Sequence, residues 1–298
     1  GWVPTAYDWT KQNLPWLEFL KIRASYGLAG NDNISGGTRF PYLTLIDNYA
    51  SVYWGYRGQG IAERTIGADN LKWEVAKKSN LGFDIMLFKD KLSVTMDFFK
   101  DIRENIYQRR VTLPDYLGLV NLPFSNVGTM HSYGSDGNIE FFQEISKDMD
   151  FTIRGNYTFS ENIVDYFEEN DLPYNYLSVT GKPYGIIRGY IAEGLFKNRE
   201  EIETSPDQST FGQVRPGDIK YRDVNGDGRI NDDDRVPLSY GNQVPRVMYG
   251  MGGDFRYKRF TVGILFRGAA KVDYYRSGMN IYNFGLNAPG WIPFYNGE

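Results

Sequence analysis

What most constrains this chain is a period-two alternation of apolar and polar residues, broken by connections of two very different lengths. In LGFDIMLF, Leu81, Phe83, Ile85 and Leu87 share one face. LSVTMDFF follows, with Leu92, Val94, Met96 and Phe98 on one side and Ser93, Thr95 and Asp97 on the other. Only the tripeptide KDK separates the two, which predicts a hairpin. A second hairpin is predicted from GNIEFFQEI and FTIRGNYTFS, and a third from VMYGMGGDFR and FTVGILFRG across YKR. LEFLKIRASYG alternates in the same way. Helical signal is confined to NREEIE, enough for one or two turns.

Soluble β-sandwiches alternate too, so the pattern alone leaves sandwich and barrel open. The connections separate them. Those at residues 89–91, 146–150 and 257–259 are short, whereas those at about 27–72, 103–135 and 168–245 are long. Compact soluble domains seldom carry several loops of that length. Short turns at one end and long loops at the other are the layout of a transmembrane β-barrel. Residues 79–88 and 91–100 have the length of a tilted membrane-crossing strand. The fold class expected is therefore all-β: a portion of an antiparallel transmembrane β-barrel with short periplasmic turns and long extracellular loops. Arg23, Asp84, Asp97, Arg154, Asp254 and Arg267, inside strands, would then line a wet lumen. Arg154, Asn156 and Thr158 are expected to face it, and Ile153, Tyr157 and Phe159 to face lipid. Some eight to ten strands are expected, forming an arc of a larger barrel, since the ends GWVPTAYDW and GWIPFYNGE read as interrupted.

Composition narrows the function classes. The 23 Tyr, 19 Phe and 6 Trp suit membrane-interface belts, with Trp73, Phe88, Phe99 and Tyr257 as candidates. A net charge of −4 gives no basic field for nucleic acid. The absence of cysteine excludes disulfides, zinc-thiolate sites and cysteine nucleophiles. The lone histidine, His131 in GTMHSYGS, is expected in a solvated loop.

The stretch DVNGDGRINDDD has the spacing of a twelve-residue calcium loop. Asp223, Asn225 and Asp227 fall at positions 1, 3 and 5, and Gly228 at the sharp turn. Arg229 would offer its carbonyl at 7, Asn231 stands at 9 and Asp234 at 12. Such a loop supplies the hard oxygen ligands that calcium requires, and the repulsion among its carboxylates favours a cation. Its flanks are not helical, and weak, millimolar-range binding would suit an extracellular loop.

The strings LKIRASYGLAGNDNI, LKWEVAKKSNLGFDIMLFKDKLSVTMDFFKDIRENIY, GYIAEGLFKNREEI and PGDIKYRDVNGDGRINDDDRVPLSYGNQVPRVMYGMGGDFRYKRFTVGILFRG resemble SusC/RagA-type TonB-dependent outer-membrane transporters. The resemblance covers most of residues 1–270, and GTMHSYGSDGNIEFF departs from the pattern. It implies that residues 1–298 are a partial TonB-dependent receptor β-barrel, with the plug domain and terminal strands outside the chain. It also implies location in the bacterial outer membrane, a SusD-like surface lipoprotein as partner, coupling to TonB through the plug, and an oligosaccharide or peptide substrate.

The function expected is therefore nutrient import, with calcium on an extracellular loop and no organic cofactor. Loop aromatics Tyr42, Trp54, Tyr56 and Tyr116 are candidates for substrate or lid contact, with Tyr53, Tyr174 and Tyr176 beside them. The alternative is a secreted, calcium-stabilised, glycan-binding module or adhesin. An enzyme is not expected: carboxylates such as Glu140 and Glu144 are present, but no nucleophile or acid–base constellation accompanies them.

Overall fold

The structure, a computed structural model, describes all residues except 33–39, 54–56, 69, 118, 120, 242–243 and 274–298. Its strands are β1 (Leu17–Asn31), β2 (Leu45–Tyr53), β3 (Arg57–Thr65), β4 (Glu74–Leu87), β5 (Leu92–Arg109), β6 (Phe124–Ser146) and β7 (Met149–Tyr166). Short strands β8 (Arg188–Gly189), β9 (Ala192–Leu195), β10 (Ile219–Tyr221) and β11 (Val236–Pro237) follow, then β12 (Val247–Tyr257) and β13 (Phe260–Ala270). The predicted helical turn is present as Arg199–Thr204, with the Asn198 side chain accepting from Glu201 N at 2.8 Å.

Seven strands form one open antiparallel wall in the order β1-β4-β5-β6-β7-β12-β13. Neighbours alternate in direction along this order, so the two edge strands, β1 and β13, run the same way. Beyond β1, Trp2 forms an antiparallel bridge with Ile22. The predicted hairpins are β4–β5, β6–β7 and β12–β13, each closed by a short turn. The long connections contain paired strands of their own: β2 with β3, β8 with β11 and β9 with β10.

Because residues paired across an antiparallel ladder project to the same side, the register fixes both faces of the wall. One face carries Ile22, Phe83, Met96, Gly137, Tyr157, Tyr249 and Gly268 in a single row. The next row is Leu20, Ile85, Val94, Ile139, Gly155, Met251 and Phe266. The opposite face carries Arg23, Asp97, Asp136 and Thr158, then Lys21, Asp84, Thr95, Asn138, Asn156 and Arg267. Arg154, Asn156 and Thr158 thus share the polar face, while Ile153, Tyr157 and Phe159 share the apolar one, in the expected register.

Among the described residues, no further layer covers the apolar face. Ile153, Met251, Val262, Ile264 and Phe266 are all more than half exposed, and the buried hydrophobic side chains among the described residues are Val164, Phe196 and Ile230. A sandwich would bury this face against a second sheet.

Three expectations need correction. The 103–135 loop is shorter than expected, because β5 runs on to Arg109 and β6 starts at Phe124. His131 is accordingly a strand residue of β6, opposite Ile102 and Ile163, with Nδ1 2.7 Å from Asp165 Oδ1. Phe99 pairs with Asn80 and Gly134 on the polar face, so it does not belong to an outer belt. Its ring lies over Gly134, where a Cβ would come within 2.5 Å of Phe99 Cζ.

Candidate functional site

The polar face is organised by arginine–aspartate pairs. Arg23 on β1 donates from Nε and Nη2 to Asp84 of β4, each at 3.0 Å. It also donates from Nη1 and Nη2 to Asp97 of β5, at 3.0 and 2.8 Å. One guanidinium thus makes two bidentate contacts and ties three strands, using the fixed fork that lysine lacks. Gly82 makes room for it: a Cβ there would stand 2.4 Å from Asp97 Oδ1 and 2.7 Å from Arg23 Cζ. Further along, Arg154 pairs with Asp254 and Arg256 with Asp150, joining β7 to β12. A cavity of about 890 Å3 opens beside Asp136, Asn138, Asn156, Thr158 and Arg267. This face of the wall is polar, with several of its charges paired across strands.

Above the wall, the segment between β7 and β12 folds into a small unit. Phe196 and Ile230 are its buried apolar pair, 2% and 0% exposed. Ile230 N donates to Asp207 O at 2.8 Å, and Asp207 N to Gly228 O at 2.9 Å. Gln208 is buried but satisfied: Nε2 donates to Ile219 O at 3.0 Å and Oε1 accepts from Tyr221 N at 2.7 Å. Tyr190, Phe211 and Tyr221 pack ring against ring.

The acidic loop belongs to this unit and is ordered by its own backbone. Asp223 accepts from Gly226 N at 2.7 Å and Gly228 N at 2.8 Å. Asn225 Oδ1 accepts from Asp227 N, and Asp227 Oδ1 from Arg229 N. Asp234 is 0% exposed and accepts from Val224 N at 2.7 Å and Asn231 N at 2.9 Å. Asn231 Oδ1 accepts from Asp233 N at 2.6 Å. Gly226 and Gly228 have φ of 77° and 81°, which glycine adopts without steric cost. Tyr176, stacked on Tyr174, donates its hydroxyl to Asp233 O at 2.6 Å. Burial, and then the charges of neighbours including Asp234 and Asp233, raise the Tyr176 hydroxyl above its usual pKa. Among the described residues, no three His, Cys, Asp or Glu side chains converge as a metal-ligand group. The six residues expected around calcium lie in one loop: the side-chain oxygens of Asp223, Asn225, Asp227, Asn231 and Asp234 accept from backbone N–H groups, and Arg229 has only its carbonyl to offer.

Two links that the sequence did not suggest fasten the surface segments to the wall. Glu168, its side chain 3% exposed, accepts from Val111 N, Thr112 N and Thr112 Oγ1 and lies 2.5 Å from Arg110 Nε. Burial pushes its carboxyl up, but these donors and Arg110 outweigh that, and the net shift is downward. Residues 181–182 bond with Val164 at the free edge of β7, at 2.7 and 2.9 Å. YFEEND shows two adjacent glutamates and gives no sign of which would be buried.

Of the loop aromatics, Tyr42 and Tyr116 are exposed, the latter at 86%. Trp54 and Tyr56 lie outside the described residues.

Residues 5–296 match the family described as "TonB dependent receptor-like, beta-barrel". Among curated relatives, TonB-dependent receptor P3 of Formosa agariphila is 29% identical over 83% of this chain and 25% of its own length. TonB-dependent receptor SusC of Bacteroides thetaiotaomicron is 22% identical over 91% of this chain and 27% of its own. Among solved structures, the RagAB peptide importer in its "open-open" state superposes with a TM-score of 0.59 at 17% identity, over 88% of this chain and 27% of that one. The chain spans about a quarter of the length of these proteins.

Proposed function

The chain belongs to the TonB-dependent receptor-like β-barrel family, whose place is the bacterial outer membrane, and on that premise we propose that it supplies wall and external loops to an active nutrient importer. The observation that carries this reading is the two-faced wall: an apolar side, uncharged from the row of Phe151 up to that of Phe159 and with no layer upon it among the described residues, and a polar side built around Arg–Asp pairs. Lipid covers the first. The second offers hydrogen-bonding groups and little net charge, which suits a polar, hydrated solute.

The substrate in this reading is an oligosaccharide or peptide. A SusD-like surface lipoprotein forms the lid, and energy arrives from TonB through a plug outside this chain. SusC and the RagAB peptide importer are the named relatives that support this choice. Binding and gating are the physical work, and the reading assigns no covalent step. Tyr42, Trp54, Tyr56 and Tyr116 are the proposed contacts for substrate or lid. The test is uptake of labelled oligosaccharide and peptide pools by cells with and without the full-length protein, with and without TonB. Accumulation that needs both supports import; accumulation indifferent to either overturns it.

Calcium is the proposed ligand of the acidic loop. The donors are of the right kind: oxygens of Asp223, Asn225, Asp227, Asn231 and Asp234 with the Arg229 carbonyl. Binding would require carboxylates to turn from their backbone partners towards a common centre. Calorimetry on the full-length protein checks this, with Asp223→Ala/Asp227→Ala as control. Binding at millimolar or tighter that disappears in the variant supports the site; binding absent or unchanged leaves a loop held by hydrogen bonds alone.

A further inference from the structure

We propose that the apolar face of the wall holds one acyl chain of a membrane phospholipid in a cleft over Gly155, where β6, β7 and β12 meet. The inference rests on the outer-membrane placement of the wall and adds to it a discrete lipid site.

Two tyrosines open the cleft. Tyr157 of β7 and Tyr249 of β12 are paired directly on the apolar face. On their far sides, Tyr157 is paired with Gly137 of β6 and Tyr249 with Gly268 of β13. Each ring leans over its glycine: a Cβ at Gly137 would stand 3.0 Å from Tyr157 Cε1, and a Cβ at Gly268 would overlap the Tyr249 ring. The two rings therefore lean apart and leave the seam between β7 and β12 open.

Gly155 lies in the next row, between Ile139 and Met251. Its backbone does not call for glycine, because its φ is not in the left-handed region. Nor does it mark a bulge: the register of β7 with β6 and with β12 runs through it without a shift. The remaining role of a strand glycine is to let another group approach closely. At Gly137 and Gly268 that group is a tyrosine of this chain. At Gly155 the chain supplies none: outside its own chain neighbours, a Cβ there would meet within 4 Å only Ile139 Cγ2, at 3.3 Å, and Gly250 O, at 3.7 Å.

The cleft over Gly155 has a volume of about 380 Å3, and its walls are Val94, Met96, Ile139, Tyr157, Tyr249 and Met251. At about 30 Å3 for a water-sized group, that is room for roughly a dozen methylenes. Position decides what fills it. Gly155 is in the middle row of the band that carries no charged residue, from Phe151 up to Phe159, and the cleft is continuous with the surface that lipid covers. A chain seated there restores the dispersion contacts that an empty notch forfeits. Met96 and Met251, unbranched and flexible, let the walls follow its shape.

Photocrosslinking tests the site. The full-length protein in dodecyl maltoside would be titrated with phosphatidylcholine carrying a mid-chain diazirine, irradiated, and its adducts mapped by peptide mass spectrometry. Adducts on residues 153–157 and 249–251 are expected to saturate and to disappear under excess unlabelled phosphatidylcholine, while those on 262–266 rise in proportion to the label. Gly155→Leu and Val94→Phe fill the cleft from different strands, so either variant suffices if the other does not fold. Each is expected to abolish the saturable adducts and spare those on 262–266. Cleft adducts that rise in proportion to the label, or that persist in the filling variants, would overturn the site and leave the membrane placement intact. Adducts on 262–266 with none in the cleft would show it covered by another group, such as a second copy of the chain, and overturn it too. Adducts at neither place would overturn the membrane placement of this face as well.

Discussion

The wall and the unit between β7 and β12 solve opposite problems with one chain. On the wall, Ile264 and Phe266 are 58% and 62% exposed; in the unit, Ile230 is 0% exposed and Phe196 2%. The wall keeps its apolar side chains outside and its ion pairs across strands. The unit keeps its apolar pair inside and satisfies its polar groups one by one through backbone N–H donors. The first arrangement is stable only if lipid receives the apolar face. The second is that of a small water-soluble domain. Apolar residues therefore mean different things in the two regions, and substitutions should separate them.

The sharpest break should come from Ile230→Ala. A fully buried isoleucine truncated to alanine is expected to cost about 4 kcal/mol. Hydrogen exchange should show amides of residues 196–230 losing protection while β4 and β5 keep theirs. Next is a charge on the wall: Ile264→Lys should destabilise the folded state in bilayers by about 3 kcal/mol, whereas Leu195→Lys, on the exposed surface of the unit, should stay within about 0.5 kcal/mol. Equilibrium unfolding from vesicles compares the two. Asp234→Ala leaves Val224 N and Asn231 N without their acceptor, with an expected loss of about 2 kcal/mol, local to the acidic loop.

The smallest effect is one of pH. Glu168 has its carboxyl pKa lowered in the fold, so its contribution is fully present above the ordinary glutamate value of 4.5 and is lost as pH falls through the depressed one. Exchange at Val111 and Thr112 should accelerate in that acidic window, and Glu168→Gln should remove the pH dependence. Protection of these amides that is unchanged in the variant would show that the link does not depend on the carboxylate.

The same contrast explains what could be read in advance. The hairpins β4–β5, β6–β7 and β12–β13 were legible where one face meets lipid, because there alternation is enforced. The upper ends of β5 and β6, in DIRENIYQRR and SNVGTMHSYGS, were not. There the outward side carries the pairs Lys77 with Glu104 and His131 with Asp165, so strict alternation with apolar residues is lost and His131 does not read as a strand residue. Phe99 was misassigned because an aromatic ring can cover a glycine on the polar face as well as meet a membrane. The acidic loop was legible through its spacing, but the hydrogen bonds that turn its carboxylates inward are a matter of geometry. The polar strand residues were expected on one face; the three-strand grip of Arg23 was not, since it depends on registers that bring residues 23, 84 and 97 together.

The shared direction of the two edge strands, β1 and β13, has a consequence for assembly. In a closed barrel, strands outside this wall lead from β13 back to β1, and with neighbours alternating in direction their number is odd. An antiparallel seam is open only to a strand that runs the other way, as Trp2 already does against Ile22. The wall thus selects its lateral neighbours by polarity, and a barrel closed through it has an even number of strands.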